Sequence, residues 1–168
     1  MTDTTAPLDG KTFWRVLSQH VTGMTVVTGQ SDQGPVGFVG LSAAHVTADP
    51  PTMLVSIDRK TSALEGIVSR KRFAINYLPS SAKSIADTFS GKGSVSGADR
   101  FAEGDWTTLE SGAPVLKSAL GVFDCVVEDV IERGSVCIVI GRVVAIATND
   151  GEPLIFFRGK TLKGIGEG

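Results

Sequence analysis

Phe13, Val16, Leu17, His20 and Val21 recur at helical spacing behind Asp9 and Thr12, either of which can cap a first turn. The pattern predicts a short amphipathic helix ended by Gly23. The period then changes. Met24 to Thr28 is rich in β-branched residues, the cluster Ser31-Asp32-Gln33-Gly34-Pro35 forms a turn, and Val36 to Val46 is again strand-like, which together predict a hairpin. Asp49-Pro50-Pro51 breaks the ladder. Thr52 to Ile57 reads as a third strand, and in the polar stretch that follows, Ser62-Ala63-Leu64-Glu65 has the Ser-x-x-Glu form of a capping box that would open a short helix. Phe73 to Leu78 is another strand stopped by Pro79-Ser80-Ser81, and Ile85, Ala86 and Phe89 predict a second short helix. Gly91 to Gly97 is a loop, and the stretch around Trp106 is less regular. A long β region follows, from Leu120 to Ile131, through a turn at Glu132-Arg133-Gly134, and on from Ser135 to Ala147. Pro153 to Phe157 is a last short strand.

Six or seven strands in hairpin connection, with short helices between them, exclude a parallel α/β sheet and predict an antiparallel barrel or sandwich. The 168 residues suit one domain, 1–168, with residues 1–9 as a flexible lead. Sixteen basic side chains against eighteen acidic ones give a net charge of -2 with no run of five like charges, so no footprint for nucleic acid or anionic lipid is present. The expected partner is a small molecule or another protein. No apolar stretch has the length of a signal peptide core or a membrane span, so a soluble cytoplasmic protein is expected. Cys125 and Cys137 sit in apolar strand-like runs, as buried hydrophobes rather than a bridge, and with His20 and His45 they match no zinc spacing.

The glycines between Gly91 and Gly97 lack the spacing and the strand-to-helix context of a dinucleotide loop, and Gly159-Lys160-Thr161 lacks the first glycine of a Walker loop, Leu154 standing there instead. Two histidines offer little material for a hydrolase triad. What remains is a bare strand and a helix start. Gly40, Ser42, Ala43 and Ala44 carry so little side chain that a flat ligand could lie against them. Arg59, Lys60 and Ser62 converge where unpaired N–H groups and a helix dipole favour an anion such as a phosphate. A plain cap flanked by solvated cations explains the same residues.

Nine pieces in order carry a resemblance: Thr22 to Thr28, Gly37 to Ser42, Asp49 to Pro51, Asp58 to Ser62, Phe73 to Asn76, Asp99 to Phe101, Phe123 to Cys125, Ile140 to Val143 and Pro153 to Gly159. Together, from about Phe13 to Thr161, the chain resembles the flavin reductase family, the small reductases of two-component flavin monooxygenases. The resemblance implies a mainly β fold with short helices, an antiparallel Greek-key split β-barrel of the FMN-binding type. It implies a homodimer that binds FMN or FAD near the subunit interface, takes a hydride from NADH or NADPH, and supplies reduced flavin to a partner monooxygenase. The alternative is a flavin carrier of the same fold without efficient turnover of a nicotinamide. By position, the resemblance places Gly40, Leu41, Ser42 and Ala43 along the flavin ring and ribityl chain, with His45, Val46 and Thr47 on the strand beneath. It places Asp58, Arg59, Lys60 and Ser62 at the phosphate, and Arg100, Phe101 and Arg158 at the closing edge of the flavin or nicotinamide site. No residue is assigned as a catalytic acid or base. The chain departs from the family pattern at Val39 and Leu41, where polar residues are common, at His45 in place of Ser, and at Gly134-Ser135-Val136 in place of Gly-Asp-His.

Overall fold

The computed structural model describes residues 8–163. Helix α1 (Gly10–Leu17) starts where Asp9 accepts the Thr12 N–H at 2.7 Å, so Asp9, the last residue of the expected lead, is the helix cap. Residues 1–7 of that lead lie outside the described residues. The helix ends at Leu17, short of the expected Gly23, because the chain turns into β1 (Thr22–Gly23). The strands that follow are β2 (Thr25–Ser31), β3 (Gly34–Val39), β4 (Ala44–Ala48) and β5 (Pro51–Asp58). Helix α2 (Ala63–Arg70) leads to β6 (Arg72–Tyr77). A 3-10 turn at Ser80–Ala82 runs into α3 (Lys83–Phe89), and a second one spans Gly97–Phe101. Beyond them lie β7 (Trp106–Thr108), β8 (Pro114–Leu116), β9 (Gly121–Arg133), β10 (Val136–Thr148), β11 (Leu154–Phe157) and β12 (Lys160–Lys163).

Seven strands form one antiparallel sheet in the order β3-β2-β6-β9-β10-β5-β4. Its two edge strands are consecutive in the chain and are joined only by Gly40–Ala43. In a flat sheet, six strand spacings of about 4.8 Å would set those edges about 29 Å apart. The five Cα steps from Val39 to Ala44 reach at most about 18 Å. The sheet must therefore roll up until its edges approach, and because β3 and β4 are not paired with each other, the barrel stays split. The single strand expected from Val36 to Val46 is two strands for this reason: the link carries the chain from one edge of the sheet to the other.

Val27, Val55, Ile57, Phe73, Ile75, Cys125 and Val139, contributed by five strands, are fully buried in one cluster, and Ala63 and Ile67 of α2 close it. A second cluster lies on the opposite face of β2 and β6, where Val26 and Ala74 meet Phe89 of α3, Leu116 and Leu154. The stretch around Trp106 supplies part of this layer, through Phe89, Phe101 and Trp106 rings that meet edge-to-face or tilted, with centroids 4.9 to 5.6 Å apart. β11 and β12 form a hairpin with positive φ at both Arg158 and Gly159, and it packs on β1 as a separate small sheet.

Inside the barrel, Gly141 faces Phe73 so closely that a Cβ on it would stand 2.5 Å from the ring and 3.1 Å from the Cβ of Cys125. Phe73 is fully buried and cannot swing away, so Gly141→Ala is expected to lower the unfolding free energy by about 1–3 kcal/mol, read by urea titration. Beside it, burial, helped by the neighbouring Asp124 carboxyl, pushes the Cys125 thiol up to about 12. Burial also raises Tyr77, with a lesser contribution from Cys125. Both groups are held neutral in the fold and ionise more readily once unfolded. The Cys125 contribution is intact below pH 9 and is lost as pH climbs from about 9 towards about 12, and that of Tyr77 is lost in the same direction from its higher ordinary value of 10.0. Cys125→Ala is expected to make the alkaline fall in urea-determined stability shallower, and native Cys125 should stay unlabelled by a thiol reagent at pH 8.

Candidate functional site

Strand β5 delivers Asp58 to the rim of the barrel, where the chain must turn before α2. Asp58 makes that turn rigid: its side chain accepts the Lys60 N–H at 2.8 Å and its carbonyl accepts the Thr61 N–H at 2.8 Å. The next residue but three, Ser62, has helical dihedrals (φ -60°, ψ -21°), and its side chain makes no cap hydrogen bond. The capping box expected at Ser62 and Glu65 is therefore absent, since a cap needs an extended residue whose hydroxyl can fold back onto the first turn. The helix start is organised from Asp58 instead. Among the described residues, the Ser62 hydroxyl and the Lys60 ammonium have no partner.

Those two groups open into a groove of about 410 Å³, within the range of small-molecule sites. Arg59 lines it too, with its side chain held at 2.7 Å by Glu132 and its backbone N–H donated to the Ser135 carbonyl at 2.9 Å. Glu132, Val130 and Cys137 reach the groove because β10 pairs with both β5 and β9, setting Val136 opposite Asp58 and Arg133. In the sequence Glu132 reads only as a turn residue. Nothing local signals that this turn lies beside Asp58, because the pairing is made across the sheet.

The Gly40–Ala43 link behaves differently from a bare platform. Gly40 is buried, gives its N–H to the Thr25 carbonyl at 3.0 Å, and would place a Cβ 2.6 Å from Val27. Its missing side chain serves inward packing. Ala43 is half-buried against the barrel interior. Ser42 donates to the Ser56 carbonyl at 2.9 Å and accepts the Ser56 N–H at 3.2 Å, so its hydroxyl acts as a rung of the ladder with β5. Leu41 and Val46 are exposed, Val46 at a bulge in β4, and every residue of β4, including His45 and Thr47, faces solvent. Thr47 is engaged with the backbone of Asp49.

The remaining expected residues are placed elsewhere. Arg100 donates to the carbonyls of Val95 and Gly37, fastening the 3-10 turn to β3. Phe101 meets the rings of Phe89 and Trp106 edge-to-face. Arg158 holds the end of α1, through its N–H to the Ser18 carbonyl at 3.1 Å and its side chain to Gln19 at 2.8 Å. Thus the fold gathers Asp58, Arg59, Lys60 and Ser62 at one rim, with Ser42 tied to the same strand, while Arg100, Phe101 and Arg158 each have a structural contact of their own.

A family profile described as the Flavin reductase like domain matches residues 17–164. The reductase subunit HsaB of a flavin-dependent monooxygenase from Mycobacterium tuberculosis is 33% identical over 157 residues, covering 92% of this chain and 82% of that protein. The FMN reductase (NADH) RutF 2 of Rhizobium rhizogenes is 36% identical over 135 residues, covering 80% and 77%. Among solved structures, the NADH:FAD oxidoreductase SgcE6 of Streptomyces globisporus superposes with a TM-score of 0.88 at 25% identity, covering 98% of this chain and 99% of that one.

Proposed function

The chain belongs to the flavin reductase-like family, and from that premise we propose that it uses NADH or NADPH to reduce FMN or FAD and supplies the reduced flavin to a monooxygenase. The observation that carries the reading at the site is the pairing of Lys60 and Ser62, two donors without partners among the described residues at the mouth of a groove of about 410 Å³. Their chemistry fits a phosphate, which takes an ammonium as a point charge and a hydroxyl as a hydrogen-bond donor. Hydride transfer from a reduced nicotinamide to a flavin ring is chemistry that the two cofactors bring with them. The chain's own work is to bind and align. Lys60 and Ser62 hold the phosphate, Asp58 keeps their loop in one conformation, and Leu41 and Val46 offer apolar surface to the ring.

The donor NADH is supported by the name of the Rhizobium relative, and the monooxygenase partner by that of the Mycobacterium relative. A homodimer is supported by the apolar surface of α1, where Phe13, Trp14 and Val16 are each more than half exposed, and by β4, which has no cover on either face. A second reading, a flavin carrier with little nicotinamide turnover, draws on Val136, which stands half-buried opposite Asp58 at the place of the histidine in the Gly-Asp-His pattern that the resemblance implies.

Anaerobic stopped-flow mixing separates the two: bleaching of the flavin by NADH or NADPH at ordinary turnover rates is expected, and no bleaching with either donor leaves only the carrier. For the phosphate, Lys60→Ala combined with Ser62→Ala is expected to weaken FMN binding by at least about tenfold while changing riboflavin binding little. Equal losses for the two ligands would place the phosphate elsewhere.

A further inference from the structure

The same groove contains a control on its own charge. Two cations, Arg59 and Lys60, and two carboxylates, Glu65 and Glu132, line it, so it presents no net charge to an anion. The four are not equivalent. Lys60 and Glu65 have no ion-pair partner among the described residues, whereas Arg59 is held by Glu132 at 2.7 Å. Arg59 is anchored at its root by the Ser135 carbonyl and Glu132 sits at the end of β9, so the guanidinium is drawn towards the β9–β10 hairpin by two separate contacts. Resting on the flavin-reductase reading, we propose that Glu132 is a positioning residue that acts through Arg59 and sets how strongly the groove prefers phosphorylated over unphosphorylated flavin.

The energetics allow such a role. The side chains are 46% and 70% exposed, and an exposed pair of this kind contributes little to folding, so the fold does not depend on it. The same guanidinium, if released towards the groove, could form a charge-assisted and even bidentate contact with a phosphate, which an exposed carboxylate partner denies it. Glu65 supplies an internal comparison. It carries the same charge into the same groove but holds no cation among the described residues, so replacing it alters the local field without freeing Arg59.

Binding of FMN and of riboflavin, read by quenching of flavin fluorescence at low ionic strength, tests the role. Glu132→Gln is expected to tighten FMN about five- to tenfold and to leave riboflavin unchanged. The gain should vanish in the Arg59→Gln/Glu132→Gln double variant, should exceed that of Glu65→Gln, and should shrink as salt is added. Equal tightening of both flavins, a gain no larger than that of Glu65→Gln, or a gain that persists without Arg59 would overturn the role of Glu132. A parent protein that quenches neither flavin would instead overturn the flavin-binding reading beneath it.

Discussion

The short reach of Gly40–Ala43 is the constraint on which the rest of the molecule depends. Two strands at opposite edges of a seven-stranded sheet are tied by four residues, and only a rolled sheet satisfies them. Rolling creates the interior that Val27, Val55, Phe73 and Val139 fill, and α2 plugs it through Ala63 and Ile67. The link itself must lie tightly. Gly40 admits no side chain against Val27, and Ser42 replaces a missing backbone rung by bonding both polar groups of Ser56. The link is thereby registered against β5, two residues before Asp58.

From that register the rim follows. β5 lies between β4 and β10, so the turn after Asp58, the hairpin at Gly134-Ser135 and the link at Leu41-Ser42 come together although they are far apart in the chain. The opposite flank is fixed by buried polar side chains. Asn76 accepts the Leu116 N–H at 2.9 Å and donates to the Val26 carbonyl, while Asp124 accepts the Ser111 N–H at 2.7 Å and its hydroxyl. Both are fully buried, so breaking any of these hydrogen bonds would strand a polar group away from water with nothing to pair with. They pin residues 111–116, which have little sheet pairing of their own, to β6 and β9.

Much of this architecture is legible in the sequence. Period-two segments locate most of the long strands, the order of family pieces points to the split barrel, and the hairpin at Gly134 follows from its turn residues. What local pattern does not reveal are contacts made through closure. Gly40 reads as a bare surface and is a packing contact; Ser42 reads as available and is committed to Ser56; Ser62 reads as a cap and is already helical. The irregular stretch around Trp106 is defined by the contact of its ring with Phe89 and Phe101 and by its pairing with residues 114–116, where Asn76 holds Leu116. Glu132 reads as a turn residue but is the last strand residue but one of β9, with the turn itself at Gly134-Ser135, and its neighbours Arg59 and Lys60 lie across the sheet. In each case the side chain's role is set by a partner distant in the chain, and periodicity carries no information about such partners.

These commitments bear on the flavin site proposed at the rim. Asp58 orders its loop, Arg59 is held by Glu132, Ser42 completes a ladder and Arg100 fastens β3, which leaves Lys60 and Ser62 at the groove, and the exposed His45 on β4, as the uncommitted side-chain donors of the expected set among the described residues. A protein that keeps its cofactor permanently gains from many preorganised contacts, because each lowers the rate of departure. A reductase that must release reduced flavin to a second protein is limited by that same rate, so additional strong contacts would slow the transfer it serves. Few donors, carboxylates beside the cations and an open rim are therefore the composition suited to a diffusible flavin. On this view the polar residues that the fold has drawn into its own structure are not a weakened version of a tighter site. They keep the rim rigid while leaving the ligand only a modest number of contacts to break.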